Sequence, residues 1–473
     1  QILMQLSKTN FLHFLACPKS LWLLKNKPHD YPHRTMSTYE DKLALEGYEV
    51  QKLVQDHLGQ QSDADRYLFE QPYQTEDGLY AAADIIYRND NGTVDIYEVK
   101  SSGSIDNGHL IDAAFQTITI EKSGGKVSSI YIVHLNKDYV RGDTLKIDEM
   151  MTFTLVTEQV RNLVDETQIG IDSAQDLLNQ PEINETGCSC LELSRSHHCE
   201  TFDYFNPSIP KPSIYNLPRI SKKKLHKFMN ERRFDLMDID ESEVSGNQLN
   251  VLKAAKSGSP LIDERVIESF YEKVRYPVYF LDYETYSSAI PIVEGVKPHA
   301  HIPFQFSIHV KQTENKTHLQ HFEYLADKAE LPSKMIEALE KVIGPNGSIV
   351  SWHKSFENKQ NKEMGILYPD KDEFLKNVIE RTIDLEDIFK GGYVDIAFGG
   401  STSIKKVLPV IVPDLTYDNM VVASGTDAME AFTRVLKTSD EGDRKKLRHD
   451  MLEYCKLDTF AMVRIFEEMQ EKI

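Results

Sequence analysis

The stretch LYAAADIIYRNDNGTVDIYEVKSS, residues 79–102, decides how the first part of the chain folds. It reads as strand, turn, strand. Side chains alternate across a strand, so Ile96, Glu98 and Lys100 share one face while Tyr97 and Val99 share the other. Asn89, Asp90, Asn91 and Gly92 tolerate positive φ and close hairpins. Folding back there brings Asp84 to within about one residue of facing Glu98, a difference that a bulge can absorb. Two carboxylates and a lysine therefore meet at one spot. A lone Glu-x-Lys is ordinarily a solvated strand face; convergence with Asp84 makes this one a candidate for chemistry. Asp84 and Glu98 are hard oxygen donors suited to Mg2+ or Mn2+. Lys100 is placed to orient a water or to meet charge developing on a phosphorane.

The chain has 473 residues, more than one ordinary core accommodates. Its 54 basic against 74 acidic residues give a net charge of −20. That excludes a protein that coats DNA through a broad basic surface. It leaves open an enzyme that gathers carboxylates into a site and uses short basic strips, here Lys222–Lys224, Lys405–Lys406 and Arg444–Lys446, each of which alone is an ordinary helix face. No apolar run approaches a membrane span. The stretch FLHFLACPKSLWLL is broken by His13, Pro18 and Lys19 and is not read as a signal peptide. Five cysteines do not make a secreted disulfide scaffold, and a cytoplasmic, membrane-free location is expected.

Helices are expected at 7–26, with Ser7 as N-cap, and at 39–57, 109–123 and 157–179. Strands are expected between 67 and 100 and at 128–135. Three cysteines and the Pro-rich FNPSIPKPSIYNLP then mark a boundary at 205–219. The division expected is a first domain at 1–204, a linker with a small helical segment at 205–272, and an α/β domain at 273–473 with strands at 278–284, 304–311 and 347–352.

The last region carries its own acids. YFLDYETY, 279–286, sets Asp282 and Glu284 on one face of an apolar strand. LEYCKLDTFAMVRIF, 452–466, is a helix pattern with Tyr454 and Asp458 one turn apart on one face. Glu357 stands at a strand-to-helix junction in IVSWHKSFENKQ, 349–360. Asp384 is a fallback acid that reads equally as a helix N-cap. Among the cysteines, Cys17 precedes Pro18, and GCSCLELSRSHHC supplies Cys188, Cys190 and Cys199. An iron–sulfur cluster, a zinc ion using His197 or His198, and unrelated buried thiols are all open readings. Cys455 reads as structural.

The Asp84, Glu98-x-Lys100 pattern resembles the PD-(D/E)xK nuclease superfamily in its RecB-like branch, which implies a restriction-endonuclease-like first domain. Such enzymes carry Q-x3-Y on the next helix; Gln116 is present, but Ile120 stands at the tyrosine position, a departure on the substrate side. EGYEVQKLV, 46–54, resembles the helix that adds a metal ligand, which makes Glu46 a candidate. One cysteine before the core and three after it, as in CRISPR-associated and AddB types, imply a 4Fe-4S cluster on Cys17, Cys188, Cys190 and Cys199. The later set resembles the DEDD 3′–5′ exonucleases, of RNase H-like fold. Asp282 and Glu284 match the first motif; Tyr454 and Asp458 match the third and mark the DEDDy branch. His353 and Glu357 stand where the second motif has N-x3-D, and both depart from it. The resemblance implies that Asp282, Glu284, Glu357 and Asp458 hold Mg2+ or Mn2+ and that Tyr454 positions water. Phrases along nearly the whole chain, among them FLACPKSLWLL, AAFQT, LNKDYVR, IPFQFSIH, SIKKVLP and YCKLDT, are similar to an uncharacterised bacterial family that joins the two kinds of domain.

The α/β fold so implied belongs to a metal-dependent nuclease cutting DNA, at single strands or ends, with RNA as the other nucleic-acid substrate. DNA repair, recombination or phage defence is the implied setting. No G-x4-G-K-[ST] loop is present, so any unwinding falls to a helicase or other protein partner. The alternative is a nucleic-acid-binding or regulatory protein with one or both sites inactive.

Overall fold

The computed structural model describes residues 4–33, 36–314, 319–418 and 420–473. The chain forms two compact units of mixed α/β structure: Gln1–Ser208 with Ser288–Ala300, and Ile209–Ser287 with His301–Ile473. Two boundaries differ from the expected division. Residues 209–272 are part of the second unit, and 288–300 belong to the first.

In the first unit the order is β1 (Leu6–Ser7), α1 (Lys8–Ala16), α2 (Pro18–Asn26), α3 (Thr38–Leu58), β2 (Tyr67–Gln74), β3 (Leu79–Arg88), β4 (Val94–Val99), α4 (Asn107–Lys122), β5 (Val127–Leu135), α5 (Ile147–Met150), β6 (Met151–Leu155), α6 (Thr157–Leu178) and α7 (Phe202–Phe205). The helix expected at 7–26 is two helices. Pro18 has no N–H and drives the residue before it out of helical geometry, so Cys17 is extended at φ −158° and Pro18 opens α2. Ser7 caps α1 by accepting from the Asn10 amide.

The sheet runs β1-β3-β4-β5-β6, with β2 also on β3. The β3–β4 hairpin pairs Ile85 with Tyr97 and Ile86 with Ile96, and β4 runs parallel to β5. One face buries Ile85, Val99, Val133 and Leu135 against Val50 and Val54 of α3. The other buries Ala83, Ile86, Ile96 and Ile132 against Ala113 and Ala114 of α4. Alternation from Ile96 puts Glu98 on the α4 side.

The second unit contains α8 (Lys222–Asn230), α9 (Asn247–Ser257), β7 (Leu261–Ile262), α10 (Glu264–Tyr271), β8 (Val278–Tyr286), β9 (Ile302–Lys311), β10 (Leu319–Leu325), α11 (Ser333–Val342), β11 (Ser348–Ser351), α12 (Ser355–Leu367), α13 (Asp372–Glu380), β12 (Thr382–Asp384), α14 (Asp387–Gly391), β13 (Tyr393–Val394), α15 (Ile404–Ile411), α16 (Gly425–Lys437) and α17 (Glu441–Gln470). Its main sheet has the order β10-β9-β8-β11-β12. The first three strands are antiparallel neighbours and β8, β11 and β12 are parallel. Central β8 is covered on both faces. Phe280 packs with Phe466 of α17, and Leu281 and Tyr283 pack with Ile336 and Leu339 of α11. The Pro-rich stretch is fastened inside this unit: Asn216 donates to the Gly399 carbonyl at 3.0 Å. At Gly400, φ +77°, a Cβ would lie 1.9 Å from the Asn216 oxygen, so only glycine fits.

Among the described residues, no helix is long and apolar enough to cross a membrane.

Candidate functional site

The first site forms where the hairpin meets α4. Asp84 lies one residue beyond the Ile85–Tyr97 pair, and its Oδ2 accepts the Val99 amide at 2.9 Å. Glu98 is buried at 1% exposure and is the hub. Its Oε1 accepts from Lys100 at 2.7 Å and from Lys8 at 2.9 Å, and its Oε2 accepts from Gln116 at 2.5 Å. Asp112 of α4 completes the group: Lys100 reaches it at 2.5 Å and Lys8 at 3.4 Å. The structure thus brings Asp84, Glu98, Lys100 and Gln116 together, and adds Lys8 and Asp112, which the sequence reading missed. Asp112 precedes Gln116 by one helical turn, so it shares that face. Lys8 gives no signal in sequence, because β1 and α1 reach the site only through tertiary pairing.

Burial sets the charge states. It raises every carboxylate, but at Glu98 the lysines Lys100 and Lys8 outweigh it and hold the group well below the usual range. Asp84 is pushed up to about 8 by burial and by the Glu98 charge, and Asp112 to about 6 for the same reasons. Burial opposes charge on Lys8 and Lys100, yet Glu98 and Asp112 outweigh it and both stay protonated.

One expectation fails here. Glu46 does not join Asp84 and Glu98. It pairs with Lys42, one turn before it on α3, at 2.6 Å and accepts the Ala289 amide at 3.2 Å. Among the described residues neither Glu46 nor the Asp84, Glu98 and Asp112 group brings three ligand atoms within 4.8 Å, so it is these two bonds that set Glu46 apart. Ile120 is fully buried in the core cluster containing Ile96 and Ile130, so this helix position faces the core rather than a substrate.

The cysteine group converges. The sulfurs of Cys17, Cys188, Cys190 and Cys199 all lie within 4.8 Å of one another, and Cys188 and Cys199 are 4.0 Å apart. The histidines are turned elsewhere: His197 Nδ1 is 3.0 Å from Ser194 Oγ, and His198 Nε2 is 3.0 Å from the Leu193 carbonyl. Hydrogen bonds from Cys17 and Cys199 hold Cys188 well below the usual thiol range. Four thiolates without histidine are a donor set for zinc and for an iron–sulfur cluster alike. Tetrahedral Zn–S bonds of about 2.3 Å place sulfurs about 3.8 Å apart. The present spacing matches one ion, and a cluster requires the side chains to part.

The second site forms at the centre of the second sheet. Asp282 and Glu284 share the face of β8, and α17 lays Cys455 and Asp458 over it. Ligand atoms of Asp282, Glu284 and Cys455 fall within 4.8 Å of one another. Asp458 accepts from Tyr417 at 2.5 Å and also from Tyr454. Glu357, in the first turn of α12, is 3% exposed, and its Oε2 has no hydrogen-bond partner among the described residues. Burial and repulsion from neighbouring acids push Asp282, Glu284 and Glu357 well above the carboxylate range, and burial alone, against the Tyr417 and Tyr454 hydroxyls and the Lys405 charge, raises Asp458 to about 6. Lys405 lies 5.7 Å from the ring centres of both Tyr417 and Tyr454. Glu284 also faces the start of α16, where a Cβ on Gly425 would sit 3.3 Å from its Oε2.

Asp384 reaches this cluster only through its charge, which helps raise Glu357, and its carboxylate accepts the Glu386 amide at the entry to α14 at 3.2 Å. At the end of β12 its carboxylate accepts the amides of His353 at 2.9 Å and Lys354 at 3.1 Å, which fixes the turn that delivers Glu357. His353 has φ +62°, and its ring turns to Glu386 at 3.1 Å. It therefore stands apart from the carboxylates. Sequence reading also missed Cys455 and Tyr417, and offered Lys405 only as half of a short basic strip. Cys455 lies three residues before Asp458, on the same helix face, which is a readable signal. Tyr417 comes from irregular chain and leaves none, while the Lys405–Lys406 strip on α15 gives no hint of which acids it faces.

Residues 279–403 match the family model described as a domain of unknown function, DUF2779. The uncharacterised protein MG366 of Mycoplasma genitalium is 28% identical over 222 residues, 43% of this chain and 33% of its own length. The MG366 homologue of Mycoplasma pneumoniae is 28% identical over 217 residues, 42% of this chain and again 33% of its own. The matched part thus spans about a third of the curated relatives. A solved structure titled "Crystal structure of SSO0001" aligns with 36% of this chain and 77% of its own at 13% identity, with a TM-score of 0.23 that carries no argument.

Proposed function

We propose that the chain is a metal-dependent nuclease whose main site is Asp84, Glu98 and Lys100. The observation that carries this is the meeting of those three groups with Asp112 and Gln116 around one buried carboxylate, Glu98. The first unit is read as a PD-(D/E)xK core of RecB-like type and the second as an RNase H-like domain with a DEDDy exonuclease-like site. DNA single strands or ends are the proposed substrate.

Asp84 and Glu98 would hold Mg2+ or Mn2+ at the first site, and Asp282, Glu284, Glu357 and Asp458 at the second. When bound, such ions supply an activated water and neutralise phosphate charge. The chain's own part is to place donors. Lys100 stays charged beside Glu98 and offers an ammonium to developing negative charge. Gln116 fixes the rotamer of Glu98, and the Asp84 carboxylate is aimed by the Val99 amide. At the second site Tyr454 and Tyr417 hold Asp458. The four cysteines would hold a 4Fe-4S cluster or zinc; iron, sulfide and zinc assays on anaerobically purified protein decide between them.

A second reading, nucleic-acid binding without cutting at the second site, is favoured by His353 facing Glu386 rather than the acids. The test is cleavage of 5′-labelled single-stranded DNA and RNA in Mn2+ by the wild type, Lys100→Ala and Asp282→Ala. Loss of cutting in Lys100→Ala, by at least 100-fold, supports the first site. A residual pattern altered in Asp282→Ala supports the second. Intact substrate with retained binding in the wild type sinks the nuclease reading.

A further inference from the structure

Helix α1 joins two places that the sequence keeps apart. Its first residue, Lys8, reaches Glu98 at 2.9 Å and Asp112 at 3.4 Å. Its C-cap is Cys17, one of the four clustered thiols. Nine residues at about 1.5 Å each make a rod of about 14 Å between them. The rod is clamped along its length. Phe11 is 1% exposed and stacks on Phe115 of α4 with ring centres 5.3 Å apart, while Gly170 of α6 closes over its other edge. At the far end the Cys17 amide donates to the His13 carbonyl at 2.9 Å.

The two lysines at Glu98 differ in how firmly they are held. Lys100 is bonded to Glu98 at 2.7 Å and to Asp112 at 2.5 Å. Lys8 has the longer contacts to the same carboxylates and the more exposed side chain, 24% against 18%. A divalent ion at Glu98 would be repelled by the two ammonium groups already bonded there. Lys8 is the one able to give way, and from its position it then meets an incoming anion.

We propose that Lys8 is the phosphate-binding lysine of the first site, contacting a phosphodiester of single-stranded nucleic acid, and that the cysteine centre holds it there through α1. This rests on reading the Asp84–Glu98 site as one that handles nucleic-acid phosphates. The lysine arm gives affinity and register, and the thiol anchor makes that arm sensitive to loss of the metal at the other end of the rod.

The test is binding rather than cutting. A labelled single strand is titrated in Ca2+ across a salt series with the wild type, Lys8→Met, Lys8→Arg, Cys199→Ser and the Lys8→Met/Cys199→Ser double variant. One lost phosphate contact on a single strand lowers the slope of log K against log salt by about 0.7. Lys8→Met should show that loss and bind roughly tenfold more weakly, and Lys8→Arg should keep the slope. Cys199→Ser should lose the same increment and add nothing in the Lys8→Met background. Should Cys199→Ser not fold, chelator-stripped wild type and Lys8→Met replace it. An unchanged slope in a Lys8→Met protein that melts like wild type overturns the proposal, as do losses that simply multiply. Absence of Mn2+-dependent cleavage with Lys8-dependent binding intact discards the nuclease reading and leaves this one standing. Absence of any strand binding removes both.

Discussion

The thiol of Cys455 lies 3.5 Å from Oδ2 of Asp282 and donates to it. A residue that reads as structural is thus in contact with the innermost acid of the second site. Replacing it with valine removes the donor while keeping the volume. On a Glu98→Gln background, which silences the first site, Cys455→Val should weaken Mn2+ binding about tenfold, the worth of one hydrogen bond of about 1.4 kcal/mol to a charged group. Cys455→Ser should stay near wild type. Equal affinity in Cys455→Val, read by electron paramagnetic resonance of free Mn2+, refutes the role.

Asp282, Glu284, Glu357 and Asp458 crowd together; burial raises the first three, Asp458 adds to Asp282, and Asp282 and Asp458 add to both Glu284 and Glu357. Such crowding costs the metal-free fold and, on the proposed reading, is relieved by an ion. Asp282→Asn should therefore stabilise the metal-free protein by about 1–2 kcal/mol, within the usual gain from relieving a strained functional site. It should also lose the stabilisation that the wild type gains from Mn2+. Thermal melts with and without the ion check both halves; a lower melting point in metal-free Asp282→Asn contradicts the account.

Asp84 makes a pH signature. Its folded pKa of about 8 stands above the unfolded carboxylate value of about 3.9, so the folded chain binds the extra proton. Stability contributed by this group is full at low pH and is lost as pH rises through about 8. Asp112, raised to about 6, acts in the same direction, whereas Glu98, held low, acts in the opposite one. Urea titrations of the metal-free protein should find Asp84→Asn gaining on wild type as pH rises from about 5 to about 8. Mn2+ should bind more tightly over the same interval, since the ion needs the carboxylate ionised. A gap between the two proteins that stays constant with pH shows that Asp84 titrates normally.

Ile120 explains why a tyrosine would not simply restore the family pattern. It is fully buried, and Gly125 already lies close to its side chain. Ile120→Tyr should cost about 1–3 kcal/mol through overpacking and leave cleavage per folded molecule unchanged. A gain in activity without a loss of stability argues instead for a surface-facing position.

What could be read from the sequence was whatever short-range geometry controls. The Asn-Gly turn fixes the hairpin register, so Asp84 and Glu98 were found, and alternation along β8 gave Asp282 and Glu284. Helical periodicity gave Gln116, Tyr454 and Asp458. Glu46 went wrong for a local reason: Lys42 stands one turn before it and takes its charge. Lys8 and Tyr417 leave no trace because they arrive from elements distant in sequence, and Lys405 shows only as a basic strip with no evident target. Asp384 was half visible; its position was noticed, but its bonds to two amides 30 and 31 residues away belong to tertiary structure.

The Pro-rich stretch at 205–219 looks in sequence like a flexible tether, the natural place to divide the gene. Asn216 pressed against Gly399 and Gly400 makes most of it a strap instead. A protease should find little purchase there. A recombinant fragment beginning at 273 would leave the Gly399–Gly400 backbone bare and strip away the helices that belong with it, and even a piece beginning at 209 carries 288–300, a segment that folds with the first unit.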